Sequence, residues 1–389
     1  MVPQIGMIGL VVAAVAFAIW IYLLFGRGGF WLCRERDDGV VAGPAQWPRV
    51  VAVVPARNEA GCIGRSIGSL ARQDYPGSFS IVLVDDDSED GTADEANRAA
   101  AALAPDRTFT LIRSSGLAAG WTGKLWALQQ GTEAAAMRTP DYLLLTDADI
   151  VHTPDSVRAL VGRAERGGYV LTSLMAKLRC ASLPERSHVP AFVYFFDMLY
   201  PFAWVNAPKI STAGAAGGCM LVKADALKLA GGIASVRSAL IDDCSLARQM
   251  KAVGPIWLGL TERAHSIRPY DGWGEVKRMI SRSAYAQLNY SPWMLLGVTL
   301  GLALTFLAGP LFALFGSGVV RILGALTWAM MALSFQPMLR FYRASPLWGL
   351  ALPGIAVAYM YYTLESAYRY VRGQGGQWKG RVQANASGS

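Results

Sequence analysis

Apolar and polar positions divide the chain into a middle of short runs and two ends of long ones. Residues 7–25 are uncharged and long enough to cross a bilayer core. Residues 293–315, 319–338 and 347–364 repeat that character near the other end. In the middle, Arg49 to Pro55 is a β-branched run that predicts a first strand, with Ala56 to Glu59 as its turn. Ile63, Ile67 and Leu70 then recur at helical spacing and predict a covering helix. Phe79 to Val84 predicts a second buried strand, followed by a turn at Glu89–Thr92 and an alanine-rich helix. A third strand is expected near Thr108–Ile112, a helix from about Lys124 to Met137, and a strand covered on both faces at Tyr142–Leu145. Strand and helix alternate, so the economical architecture is α/β with a parallel, doubly wound sheet.

Polar residues with chemical potential collect where these strands end. Asp147 and Asp149 close the run Asp141-Tyr-Leu-Leu-Leu-Thr-Asp-Ala-Asp149. Strand alternation would aim both carboxylates to one side at the C-terminal edge, the usual ligand edge of an open α/β sheet. Two anionic oxygens there suit Mg²⁺ or Mn²⁺, with further positions left for phosphate and water. By itself Asp-x-Asp also occurs in solvated turns. Asp85-Asp86-Asp87-Ser88 ends the second strand, and three adjacent carboxylates need a cation, donors or solvent. Gly120-Trp-Thr-Gly-Lys124 places a lysine at a helix start without the spacing of a P-loop. Further on, the small residues of Thr212 to Gly218 allow close approach of a ligand or backbone before a strand-like run, and Asp242 and Asp243 open a helix.

Composition moves the picture toward membranes. Of 389 residues, 53% are hydrophobic and only 16% charged. The net charge of +8 fits nucleic acid or anionic lipid alike, and hydropathy selects lipid. No basic segment precedes residues 7–25 and no Ala-x-Ala site follows them, so they are expected to be an anchor and not a cleaved leader. The five cysteines are scattered and the three histidines, His152, His188 and His265, are far apart, which argues against a disulfide framework, a zinc site and a Ser-His-Asp triad. Arg27, Arg34 and Arg36 after the first span place the middle of the chain on the cytoplasmic side. A cytoplasmic basic tail (Arg369, Arg372, Lys379, Arg381) is then reconciled with the other stretches if 347–364, interrupted by Pro353-Gly354, is a re-entrant or interfacial hairpin. The aromatic run Phe192–Trp204 reads as an interfacial segment beside an acceptor opening or as a buried helix.

The series Pro55-Ala-Arg-Asn-Glu59, Val84-Asp-Asp-Asp-Ser88, Gly123-Lys124, Thr146-Asp-Ala-Asp149, Gly217-Gly218 and Ile241-Asp-Asp243 resembles the family 2 glycosyltransferases of GT-A fold. It looks most like the bacterial membrane glycosyltransferases associated with hopanoid biosynthesis, relatives of ceramide glucosyltransferase. The resemblance implies that Asp86 binds the uracil of a UDP-sugar, with Pro55, Arg57 and Glu59 lining the same pocket. It implies Lys124 near the diphosphate, Asp149 on the metal with Asp147 beside it on sugar or ribose, and Asp243 as catalytic base with Asp242 next to it. Relatives carry a Gln/Arg-x-x-Arg-Trp motif before the C-terminal spans. Here the nearest stretch is Ala286-Gln-Leu-Asn-Tyr290, which leaves Arg278 or Arg282 to serve the phosphates.

The expectation is therefore an anchor at 1–30, a GT-A domain at 48–270, an interfacial helical segment at 271–292, a transmembrane or re-entrant region at 293–368 and a basic tail at 369–389. Its expected activity is metal-assisted, inverting transfer of a sugar from a nucleotide-sugar to a lipid acceptor, hopanoid-related, on the cytoplasmic face of the inner membrane, with no nucleic-acid partner. A sugar nucleotidyltransferase and a non-catalytic nucleotide-sensing scaffold are the rival readings.

Overall fold

The structure of the protein, a computed structural model, describes residues 2–39, 42–378 and 381–384. Its strands are β1 (Val50–Ala56), β2 (Phe79–Asp85), β3 (Thr108–Arg113), β4 (Tyr142–Thr146), β5 (Ile150–His152), β6 (Leu171–Lys177), β7 (Cys219–Lys223) and β8 (Ile256–Ser266). They form one sheet in the order β3-β2-β1-β4-β7-β6-β8-β5. Helix α1 (Val2–Phe25) precedes the sheet. Between the strands come α2 (Ala60–Ala71), α3 (Thr92–Ala100), α4 (Gly123–Ala136), α5 (Ser156–Gly167), α6 (Leu183–Leu199), α7 (Phe202–Asn206), α8 (Ala224–Leu229) and α9 (Asp242–Val253). After β8 the chain runs through α10 (Trp273–Ala284), α11 (Pro292–Leu302), a π turn at Ala303–Leu307, α12 (Ala308–Phe315), α13 (Gly318–Ser334), α14 (Gln336–Phe341) and α15 (Trp348–Val371).

Continuous apolar runs make the central strands because both sheet faces are covered. On β1, Ala52 and Val54 pack with Ile63, Ile67 and Leu70 of α2, while Val51 and Val53 pack with Leu125 and Leu128 of α4. Helix α4 lies so close that a side chain at Gly131 would overlap Val53 and come within 2.9 Å of Val84 Cγ2. This packing fixes the height at which Lys124, on the first turn of α4, meets the strand ends.

The first four strands of the order are parallel, as the alternation of strands and helices predicts. The sheet as a whole is mixed: β7 is antiparallel to both β4 and β6, and β5 is antiparallel to β8. The reason is where the chain returns. After α7 it re-enters the sheet beside the C-terminal end of β4, pairing Cys219 with Thr146, so it can only run back along β4. That entry brings Gly217 and Gly218 to the ligand edge.

Among the described residues, Met7–Phe25, Pro292–Phe315 and Gly318–Phe341 are helices long and apolar enough to cross a membrane. They share a core with the sheet, which joins Trp20, Phe306, Met331 and Phe335 to Val189 and Tyr194 of α6. Tyr194 and Ser334 exchange a hydrogen bond at 2.7 Å, and Trp20 Nε1 donates to Thr305 O in the π turn at 2.7 Å. The aromatic run Phe192–Trp204 thus belongs mainly to a buried helix: Tyr194 and Asp197 are buried, and Phe195 packs edge-on against Phe306 and Tyr359.

Residues 347–364 depart from the expected hairpin. They lie on α15, one continuous helix with Pro353 inside it. Pro353 falls early in the helix and is buried against neighbouring helices, so packing holds the turn whose hydrogen bond proline cannot make. In the tail, Gly375–Trp378 pairs antiparallel with Arg381–Ala384; Lys379 lies outside the described residues.

Candidate active site

The ends of β1 and β2 make one wall of the cleft. The Asp86 backbone N–H donates to Ala56 O at 2.8 Å, which holds the two strand ends together, and the Asp86 side chain is buried. Arg57 reaches it from β1: one guanidinium nitrogen donates to Asp86 O and lies 3.7 Å from Asp86 Oδ2. The following turn is tied across to the loop after β2 and the start of α3, with Asn58 N–H donating to Ser88 Oγ at 2.9 Å and Glu59 N–H to Thr92 Oγ1 at 2.8 Å. Pro55 is buried in β1 opposite Val84, beyond the last residue that β4 pairs with, where its missing N–H costs no ladder bond on that side.

Asp147 and Asp149 are not on a strand. β4 ends at Thr146 and residues 147–149 form a turn, closed by Ile150 N–H donating to Asp147 O at 3.1 Å. The turn, and not strand alternation, positions the two carboxylates. Asp149 is drawn toward the end of β8, accepting from Ser266 Oγ at 2.9 Å and Arg268 Nε at 3.1 Å. Asp147 faces α4 instead, 2.9 Å from Lys124 Nζ.

Lys124 is the hub of the site. Its ammonium also lies 3.3 Å from Asp242 Oδ2 on the first turn of α9. Burial opposes its charge, yet Asp147 and Asp242 hold its pKa well above the ordinary lysine value. Asp243 stands beside them. Its Oδ2 accepts from Gly217 N–H at 2.9 Å and its Oδ1 from Cys244 N–H at 2.7 Å. A Cβ on Gly217 would press to 3.3 Å from both Asp243 Oδ2 and Lys124 Nζ, so the glycine is what lets this loop approach. Burial and then Asp242 push the Asp243 carboxyl up to about 6, against the pull of Lys124 and the two amides. Asp147 is raised as well, first by burial, with Asp149 adding to it and Lys124 opposing. Asp242 Oδ2 accepts no hydrogen bond although it is buried.

Arg268, just past β8, went unnoticed in the sequence. Its Nη2 holds both oxygens of Glu59 at 2.6 and 2.7 Å while its Nε holds Asp149, so it ties the β1 turn to the Asp-x-Asp turn. Burial works against its charge, and Asp149 and Glu59 more than restore it. The available signal was slight: an arginine before Pro269, beyond the mostly polar stretch Thr261–Ser266 that follows the apolar run Ile256–Leu260. Glu59, expected beside Asp86, is thus committed to the other side of the cleft. Arg282 is exposed on α10 and acts on Tyr270, whose pKa burial and Asp149 raise to about 12 while Arg268 and Arg282 oppose. Tyr290 turns away from the cleft: its ring stacks on Tyr370 of α15 at 4.3 Å, and Asn289 and Tyr290 both have left-handed backbones.

Five carboxylates (Glu59, Asp147, Asp149, Asp242, Asp243) therefore share two cations, Lys124 and Arg268. Hard, anionic oxygens in excess of their partners are what Mg²⁺ or Mn²⁺ requires, and one or two carboxylates suffice when phosphate and water supply the rest. The site fits such an ion. Among the described residues no group of three or more metal-binding side chains forms a ready-made cage.

Residues 51–229 match the sequence model of Glycosyl transferase family 2. They are a family 2 glycosyltransferase domain. The domain is an enzyme domain of GT-A-like fold, α/β with a mostly parallel mixed sheet. A mannosyltransferase from Pyrobaculum calidifontis, solved in complex with GDP-Man and Mn²⁺, shares that fold with a TM-score of 0.56 at 21% identity, covering 92% of this chain and 98% of that one. An N-acetylglucosaminyltransferase of Rhizobium leguminosarum bv. viciae is 33% identical over 114 residues. That match takes in 29% of this chain and spans about a quarter, 24%, of the curated relative.

Proposed function

We propose that the protein moves a sugar from a UDP-sugar to a lipid acceptor, hopanoid-related, at the cytoplasmic face of the inner membrane. The observation that carries this reading is the convergence of Asp147, Asp242 and Asp243 on Lys124, which links a diphosphate-binding edge to a base within one cluster. Arg57 and Asp86 bind the nucleotide base, and Asp147 orients the sugar or ribose. Asp149, with Asp147, would hold Mg²⁺ or Mn²⁺, which supplies charge neutralisation for the leaving diphosphate. Lys124 and Arg282 bind the same developing charge. Asp243 takes the acceptor hydroxyl proton as that oxygen bonds to the anomeric carbon and the diphosphate leaves with the bonding electrons, a single inverting displacement. Its raised pKa suits a base working near neutrality.

A second assignment has an observation in its favour. Asp243 has both oxygens engaged by backbone amides, whereas Asp242 Oδ2 accepts no hydrogen bond and is held only by the charge of Lys124, 3.3 Å away. On that reading Asp242 is the base and Asp243 shapes the Gly217 loop.

The lipid acceptor is supported by the three apolar helices and by the core they share with the domain. The orientation rests on the basic residues after α1 and predicts that a cysteine placed at Gly375 resists an impermeant thiol reagent in intact cells. Rapid labelling from outside contradicts it. The reaction class is tested by supplying UDP-sugar and extracted lipid to the purified protein. Free UDP is the expected product; pyrophosphate-linked exchange indicates nucleotidyl transfer, and binding without turnover indicates a sensor.

A further inference from the structure

An open cavity of about 600 Å³ lies where the ends of β6 and β8 meet α2 and the turn after α14. Lys177 and Arg179 line it from one side, Arg65 from α2, and Tyr342 and Arg343 from the turn. None of Lys124, Asp147, Asp242 and Asp243 lines it. It touches the active site through Ser266, whose hydroxyl donates to Asp149, and through Ile267, whose backbone N–H donates to Asp149 O at 3.0 Å.

The cations around this cavity differ in how they are held. Lys177 is paired with Glu262 at 2.5 Å and sits 4.5 Å from the centre of the Phe341 ring. Arg179 is shared by Glu185 at 2.9 Å and Asp271 at 2.7 Å. Arg65 and Arg343 are exposed, and among the described residues neither guanidinium has an ion pair or hydrogen bond to protein. The lining carboxylate, Glu262, is paired with Lys177, and its pKa is lowered chiefly by that lysine and further by the charge of Arg343. His265 adds no charge near neutrality, since burial and Lys177 depress its pKa.

Location narrows the ligand. Arg343 follows the apolar helix Gly318–Phe341 by two residues, so if that helix crosses a bilayer the cavity opens at the level of the headgroups. Anionic headgroups attract cations placed there. A guanidinium presents paired N–H donors that match phosphate oxygens, and its charge is not lost to titration. Two arginines carried by different elements of the cavity wall, neither with an ion pair or hydrogen bond to protein among the described residues, select an anion.

We propose that this cavity is a phosphate-binding site distinct from the sugar-transfer centre, held by Arg65 and Arg343 with Lys177 and Arg179 beside them. Its occupant is the phosphate of a membrane phospholipid or of a soluble phosphate compound. A phosphate there bridges α2 of the domain and the end of a membrane helix, and so fixes the height of the domain above the bilayer.

The full-length protein in detergent is titrated separately with phosphatidylglycerol, uncharged diacylglycerol and inorganic phosphate, reading retained lipid by native mass spectrometry and thermal midpoint for phosphate. The comparison is between the natural protein and the double variant Arg65→Gln/Arg343→Gln, with Arg65→Lys/Arg343→Lys as the charge-retaining control. The site predicts phosphatidylglycerol retention at least about tenfold weaker in the Gln variant and partly kept in the Lys variant, with diacylglycerol not retained. If inorganic phosphate instead raises the midpoint of the natural protein but not of the Gln variant, and lipid retention is equal, the occupant is a soluble phosphate. Equal lipid retention together with an equal phosphate response in both proteins overturns the proposal, as does retention of diacylglycerol as strong as that of phosphatidylglycerol.

Discussion

Where β1 and β2 end, one arginine faces one buried carboxylate, Arg57 with Asp86; where β4, β7 and β8 converge, five carboxylates share Lys124 and Arg268. The Arg57–Asp86 pair is balanced in charge, with the buried Asp85 beside it accepting the Ser88 N–H at 3.3 Å. The second arrangement is not, and uncompensated carboxylates away from water cost several kcal/mol each in effective terms. A cluster that carries such a cost without closing its own ion pairs is suited to receive a cation with a ligand. On the proposed reading, the contrast separates recognition of a nucleotide from the chemistry on its phosphates and sugar.

The largest effect should come from removing charge at the surplus end. Asp149→Asn should abolish EDTA-sensitive turnover while the protein still inserts into membranes; full activity in that variant would remove the metal assignment and with it the meaning of the surplus. Next is the base. Asp243→Asn should lower turnover on the order of 10²–10⁴-fold with little change in donor binding, because the proton acceptor is lost and the diphosphate contacts remain. Asp242→Asn should act mainly on acceptor affinity or stability. Loss of turnover in Asp242→Asn with Asp243→Asn spared at saturating substrate exchanges the two roles.

These two regions were unequally legible. The Arg57–Asp86 end could be read directly, since the apolar runs Val50–Val54 and Ile81–Val84 lead up to it and the polar residues follow at once in sequence. Asp147 and Asp149 were found for the wrong geometric reason, because a turn and a strand end look alike over three residues. Arg268 escaped notice since its partner Glu59 lies 209 residues earlier and only the mixed sheet brings β8 alongside. The antiparallel β7 had no local signature; it follows from where α6 and α7 return the chain. On α15, Pro353-Gly354 looked like a break, and buried packing overrode the propensity.

A smaller effect sharpens the contrast through pH. Asp243 works as its carboxylate and has its pKa raised from the ordinary range to about 6, so it is largely ionised at neutrality and protonates as pH falls through that value. Turnover at saturating donor should therefore drop toward about tenfold per unit below that point. Asp243→Asn should lack this limb; an identical acid limb in that variant assigns it elsewhere. The smallest effect belongs to the Arg57–Asp86 end. Arg57→Lys keeps the charge but loses the planar fork, so donor KM should rise roughly tenfold with kcat little altered. A fall in kcat alone would place Arg57 in the chemistry and erase the division between the two regions.

On the proposed reading, the Lys124 centre delivers a sugar to a lipid. Lipids extracted from cells with the natural gene, without it, and with the Asp149→Asn form should be compared by mass spectrometry. The expected result is a lipid heavier by one glycosyl residue in the first and its absence from the other two, with the unglycosylated lipid accumulating in both. The same glycolipid at equal abundance in all three would contradict it.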